Sequence, residues 1–177
     1  MVFCKNKSLF FSILLYLHDT QLYVMTFATI LVCVDGSESS MKAADYAIKM
    51  AKKHEAQLIS LYVVVSQLGY AYSSGAFGLV TPSAINELLD KSKQEARKWF
   101  DEIEKEAMAQ GVNVKVEMVA SPTSIVPAIV DYAEKNKVDL IITGTRGRRR
   151  SGLAKLLLGS VASGIVTYAN CPVMVVK

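Results

Sequence analysis

Five short apolar runs separate stretches in which apolar residues recur at helical spacing. The first run, Thr29–Val34 (TILVCV), is continuous and rich in β-branched residues, the pattern of a strand covered on both faces. Ser37 to Glu55 follows, with Ala43, Ala44, Ala47, Ile48 and Ala51 on one stripe, which predicts an amphipathic helix. Leu58–Val65 (LISLYVVV) reads as a second buried strand. Ser66–Ser83 is rich in Gly, Ser and Tyr, and a long helix is expected from about Pro82 to Gln110. Its stripe is Ile85, Leu88, Leu89, Ala96, Trp99, Ile103 and Ala107, so Trp99 is expected in the core.

Val114–Val119 alternates as VKVEMV, which predicts a strand with one wet face near a sheet edge. Ile125–Asn136 reads as a helix with Pro127 in its first turn. Val138–Thr143 and Val173–Val176 are the last two strands, with a helix between them from about Leu153 to Ala169. Strand and helix in alternation predict an α/β domain built on a parallel sheet with right-handed crossovers. The sequence shows neither an internal repeat nor a second domain.

In such sheets, ligands sit beyond the carboxyl ends of the strands, where the strand order reverses. The first strand ends in Asp35-Gly36-Ser37 and the fourth in Thr143-Gly144. If those strands are neighbours, the segment Gly144–Ser160 (GTRGRRRSGLAKLLLGS) faces Asp35 across one crevice. Gly144 and Gly147 let backbone N–H groups approach an anion with no Cβ in the way. Gly159-Ser160 adds two N–H donors and a hydroxyl, and a helix dipole there favours negative charge. No Gly-Lys-Ser/Thr follows, which excludes a Walker A loop, and DGSESS stands where a dinucleotide fold has GxGxxG. By itself the glycine spacing is unspecific.

Composition narrows the field. At 177 residues the chain suits one domain, and a net charge of +4 is too mild to argue for nucleic acid. Cys4, Cys33 and Cys171 form no CxxC or His-paired spacing, so neither a zinc site nor a disulfide framework is indicated. A reducing, cytoplasmic setting fits, and Cys33 reads as a small apolar residue. His18 and His54 lie away from the crevice, which offers no histidine acid–base chemistry. Ser8–Leu17 (SLFFSILLYL), behind Lys5 and Lys7, resembles a signal-peptide core but is short of the roughly 20 residues of a membrane span. No small-residue cleavage site follows it. Residues 1–24 therefore read as an N-terminal extension, disordered or a misassigned start, with an export signal, an anchor or a packed element as alternatives. Residues 25–177 read as the domain, and neither a membrane nor a nucleic-acid partner is expected.

Taken together, ILVCVDGSESSMKAADYAIKMA, DLIITGTRG with LLLGSVASGIV, and the terminal NCPVMVVK resemble the universal stress protein family from Met25 to Lys177. The resemblance implies a Rossmann-like open sheet of five mainly parallel strands, order 3-2-1-4-5, with helices on both faces. The ATP-binding branch of that family carries G-x2-G-x9-G-[S/T] after the fourth strand. Gly144-x2-Gly147 fits its start and Gly159-Ser160 its end, but residues 148 to 158 number eleven, not nine, and the excess falls in Arg148–Arg150.

Carried over, the resemblance implies that Asp35 and the backbone of Val63 hold the adenine end. Val34, Thr143 and Gly144 would line the ribose and first phosphate, and Gly147, Gly159, Ser160 and Val161 would cradle the phosphates. ATP is the expected ligand, with a divalent cation such as Mg2+ held through its phosphates. No catalytic or metal-ligating residue is assigned, and hydrolysis would be slow at most. A homodimer through Pro172–Val176, acting as a regulatory module in stress response, is also implied. Two alternatives stay open: a nucleotide-independent dimeric interaction protein, and cyclic AMP or another adenylate in the same crevice. Plainer readings stand beside these. Asp35 would also serve as a helix cap, and Gly159 as a close-packing site within a helix. Arg148–Arg150 suits a solvated loop, a phosphate contact or an acidic partner, while Tyr70, Tyr72 and Phe77 suit packing of the crossover.

Overall fold

The structure, a computed structural model, describes residues 26–65, 82–122, 124–147 and 158–177. Its elements run β1 (Thr29–Cys33), α1 (Glu38–His54), β2 (Gln57–Val65), α2 (Pro82–Ala109), β3 (Val114–Ser121), α3 (Ile125–Lys135), β4 (Leu140–Gly144), α4 (Ser160–Tyr168) and β5 (Val173–Val176). The five strands form one sheet of order β3-β2-β1-β4-β5, and every neighbouring pair is parallel. This is the expected Rossmann-like α/β fold, with no antiparallel pair among the described strands.

The continuous apolar runs follow from burial on both faces. Ile30, Val32, Leu58, Tyr62, Leu140 and Ile142 pack against α1 and α2 through Ala43, Ala47 and Ile103. Leu31, Cys33, Ile59, Leu61, Val63 and Ile141 face the other way, against Ile129 and Ala133 of α3 and Ile165 of α4. Ile30, Leu31, Ile141 and Ile142 are fully buried. Each such side chain stabilises the fold by about 1.5–3 kcal/mol relative to exposure. β3 and β5 are the sheet edges. In β3, Val114, Val116 and Met118 pack on the α1 and α2 side as expected, but of the expected wet face only Lys115 is exposed, and Val119 packs on the α3 side.

Three local expectations are corrected. β4 begins at Leu140 rather than Val138, because Val138 and Asp139 belong to the connection. The Val138 N–H closes on the Ala133 carbonyl at 2.9 Å, and the Asp139 carboxylate accepts the N–H groups of Ala28 and Thr29 at 2.8 and 2.9 Å. In the described chain α4 starts at Ser160, and Gly159 is its extended N-cap (φ −66°, ψ 153°), not a residue within a helix. Ser37, not Asp35, caps α1: its hydroxyl accepts the Ser40 N–H. The extension 1–24, Tyr70, Tyr72, Phe77 and Arg148–Arg150 lie outside the described residues. Among the described residues no helix is long and apolar enough to cross a membrane.

Candidate functional site

β1 and β4 are adjacent, with Cys33 opposite Thr143, and the strand order reverses between them. A cavity of about 630 Å3 opens beyond their carboxyl ends. All nine residues expected at the site line it: Val34 and Asp35 from the end of β1, and Val63 from β2. Thr143, Gly144 and Gly147 come from the end of β4, and Gly159, Ser160 and Val161 from the start of α4. Ile125 and Ile129 of α3 add an apolar wall.

The turn after β1 is held by its own polar side chains. Asp35 Oδ1 accepts the Ser37 N–H at 3.0 Å and the Ser37 hydroxyl at 2.6 Å. The Ser37 hydroxyl also lies 3.1 Å from the Arg146 carbonyl. A hydroxyl has one hydrogen, and the shorter contact to a carboxylate is the stronger claim on it. The Ser39 hydroxyl donates to the same Arg146 carbonyl at 2.7 Å. Two strand ends far apart in sequence are thereby laced together at the mouth of the crevice.

The glycines let neighbouring segments approach closely. A Cβ at Gly147 would lie 2.7 Å from Asp35 Oδ2, and one at Gly159 would lie 2.9 Å from the Thr145 carbonyl. Thr145, buried, ties the loop at both ends. Its N–H donates to the Val176 carbonyl at 2.7 Å, and its carbonyl accepts the Gly159 N–H at 2.8 Å. The donor expected from Gly159 is therefore engaged within the protein. The first bond of the helix runs from the Ser163 N–H to the Gly159 carbonyl at 2.9 Å, so the N–H groups of Ser160, Val161 and Ala162 precede the helical ladder. Gly159 has no side chain to cap them, and all three residues line the cavity. Here the helix dipole favours an anion.

The cavity's titratable lining is sparse. Among the described residues it has one carboxylate, Asp35, one cation, Arg146, and no histidine. Cys33 also lines it; burial, with a smaller push from Cys171, raises its thiol from 9.0 to about 12, so it is a neutral wall. His54 packs at a tilt on Phe27, just ahead of β1, at the opposite end of the sheet. Among the described residues no group of three His, Cys, Asp or Glu side chains could hold a metal ion. Sequence reasoning missed Ser39, Ser40 and Arg146; the run of hydroxyls in DGSESS was the available clue. It also placed Trp99 simply in the core, whereas the half-buried indole lies against Gly36 as well.

A profile of the universal stress protein family matches residues 26–177. The chain is 42% identical over 151 residues to the universal stress protein MJ0531 of Methanocaldococcus jannaschii, a match spanning 84% of this chain and 81% of that protein. It is 31% identical to the universal stress protein YxiE of Bacillus subtilis, over 85% of this chain and 99% of that one. Among solved structures, the universal stress protein UspA from Lactobacillus plantarum is similar with a TM-score of 0.71 and 27% identity, over 86% of this chain and 99% of that chain. A universal stress protein in complex with cAMP is similar with a TM-score of 0.58 and 25% identity, over 86% of this chain and 98% of that chain.

Proposed function

From the premise that this chain belongs to the universal stress protein family, we propose that it binds an adenine nucleotide, ATP first, in the crevice between β1 and β4. One observation carries the reading. The α4 N-terminus, its cap position a glycine, lines the same cavity as the Asp35 carboxylate. A nucleotide needs that pairing: an anion site at one end and an acceptor for amino or hydroxyl hydrogens at the other. The volume of about 630 Å3 falls within the roughly 300–1,000 Å3 of small-molecule sites.

In this reading Asp35 and the Val63 backbone take the base, while Val34, Thr143 and Gly144 line the ribose and first phosphate. The N–H groups of Ser160 and Val161 meet the phosphates, and Gly147 and Gly159 keep the approach clear. Ala162 adds a donor that the motif alone did not suggest. Mg2+ would be held through the phosphates. We assign no catalytic residue: the described lining supplies neither a pair of carboxylates nor a histidine base. Any hydrolysis would be slow, and the output regulatory. Cyclic AMP is the second reading, favoured by the similar fold of the family member in complex with cAMP.

The same proposal includes a homodimer through Pro172–Val176, a cytoplasmic location, a role in stress response, and a domain of residues 25–177 that works without residues 1–24. The nucleotide part is tested by denaturing the purified protein and identifying any released small molecule by mass spectrometry. An adenine nucleotide is expected. No released species, together with no titratable ATP site at millimolar nucleotide, would refute it.

A further inference from the structure

The indole of Trp99, the chain's one tryptophan, lies against Gly36 beside the crevice. Gly36 has φ +74°, and a Cβ there would fall 2.1 Å from Trp99 Cε2 and 2.6 Å from Nε1. Two separate causes therefore demand glycine: the left-handed backbone and the space the indole fills. Gly36 joins Asp35 to Ser37, the pair whose hydrogen bonds fix the Asp35 carboxylate. The indole also packs on the Tyr62 ring, at 5.3 Å between centroids and 87° between planes. Tyr62 lines the cavity next to Val63, and Ser92, about two turns before Trp99 on α2, lines it as well.

We infer that Trp99 is a positioning residue for the adenine end of the site. Packed on Gly36 and braced by Tyr62, it holds the Asp35-Gly36-Ser37 turn in the one conformation that presents the carboxylate to the crevice. Without the brace, a glycine turn regains backbone freedom that binding must then remove, so affinity falls. Trp99 acts through Asp35 and does not touch the phosphates. The inference rests on the nucleotide reading above, but the brace itself can be observed without nucleotide.

The test compares full-length wild type, Trp99→Phe and Trp99→Ala. In nucleotide-free protein, hydrogen exchange at the Ser37 amide should accelerate in Trp99→Ala and stay near wild type in Trp99→Phe, while Leu31 and Val32 in β1 stay unchanged. By calorimetry, Trp99→Ala should weaken ATP about tenfold, the scale of a lost aromatic contact, and Trp99→Phe by less than about threefold. Inorganic triphosphate should bind all three alike. Adding Trp99→Ala to Asp35→Asn should cost little beyond Asp35→Asn alone, because the two act as one unit. Unchanged Ser37 exchange, or fully additive losses, would overturn the inference. If wild type binds no adenine nucleotide, the functional reading fails and the Ser37 amide alone judges the brace. Should Trp99→Ala fail to fold, Trp99→Leu takes its place with the same expected outcomes.

Discussion

The Ser39 hydroxyl donates to the Arg146 carbonyl at 2.7 Å across 107 positions of sequence. This contact draws the first turn of α1 against the end of β4, and the residue that makes room for it is Gly144. A Cβ at Gly144 would lie 2.6 Å from Ser39 Oγ, 2.7 Å from the Ser39 carbonyl carbon and 2.8 Å from the Ser40 nitrogen. Two of these atoms are backbone, so a rotamer change cannot relieve the clash. Gly144→Ala should destabilise the fold by about 1–3 kcal/mol, the cost of overpacking, and weaken ATP binding as α1 is pushed away. Urea unfolding and calorimetry check the two parts. Wild-type stability would show that α1 is loosely seated.

Ser60 sits fully buried on the face of β2 that meets α1 and α2, and its hydroxyl has no hydrogen-bond partner among the described residues. The sequence run LISLYVVV carries it as the one polar residue in an apolar strand apart from Tyr62. An unmade buried hydrogen bond costs about 1–3 kcal/mol, whereas the small cavity left by Ala costs less. Ser60→Ala should therefore be neutral or stabilising by up to about 1 kcal/mol in urea unfolding. A clear loss of stability would mean that the hydroxyl makes a contact after all.

Most of the fold was legible because its causes are local. β-Branched runs such as Thr29–Val34 must be strands buried on both faces, and the alanine stripe of α1 must be the side that meets the sheet. The candidate site was partly legible, because position beyond β1 and β4 follows from topology once the parallel order is known. What stayed hidden depends on long-range approach. Nothing in the period of α2 tells that Trp99 reaches Gly36 across the sheet's end. Nor does spacing reveal that Gly159 gives its N–H to the Thr145 carbonyl, so that the N–H groups ahead of the helical ladder are those of the residues that follow.

Burial, and to a lesser degree Cys171, raises the Cys33 thiol from 9.0 to about 12. A folded-state value above the unfolded one stabilises fully below the unfolded pKa and is lost as pH rises through the folded one. Wild type should therefore lose stability between pH 9.0 and about 12 more steeply than Cys33→Ala, compared by urea unfolding. Equal slopes would mean that Cys33 ionises in the folded protein. Peptide mapping after alkylation of folded protein should also leave Cys33 unmodified.

The proposed dimer rests on β5, a short apolar strand at the sheet edge. Unpaired edges of this kind invite pairing with a second copy, and an added lysine discourages it. Val175→Lys is the better probe, because Met174 packs against the core between the sheet and α1. Light scattering should report a dimer for wild type and a monomer for Val175→Lys. Since Val176 accepts the Thr145 N–H, the monomer should also bind ATP somewhat more weakly. A wild-type monomer, or a dimer that survives the substitution, would contradict this interface.

The central claim is that the α4 N-terminus receives the phosphates of an adenine nucleotide. Calorimetric titration of ATP and of adenosine into wild type, Gly159→Ala and Gly159→Asp tests it most directly. Both substitutions add a Cβ that must give way to the Thr145 carbonyl at 2.9 Å, so Ala measures the steric part. Only Asp places a carboxylate on the N–H groups of the first turn, where it caps the helix and competes with the ligand. Wild type should bind ATP, Gly159→Ala should bind it more weakly, and Gly159→Asp should lose ATP while keeping the weaker affinity for adenosine shown by Gly159→Ala. A wild type silent at millimolar ATP, or a Gly159→Asp variant that binds ATP as well as Gly159→Ala does, would contradict the claim.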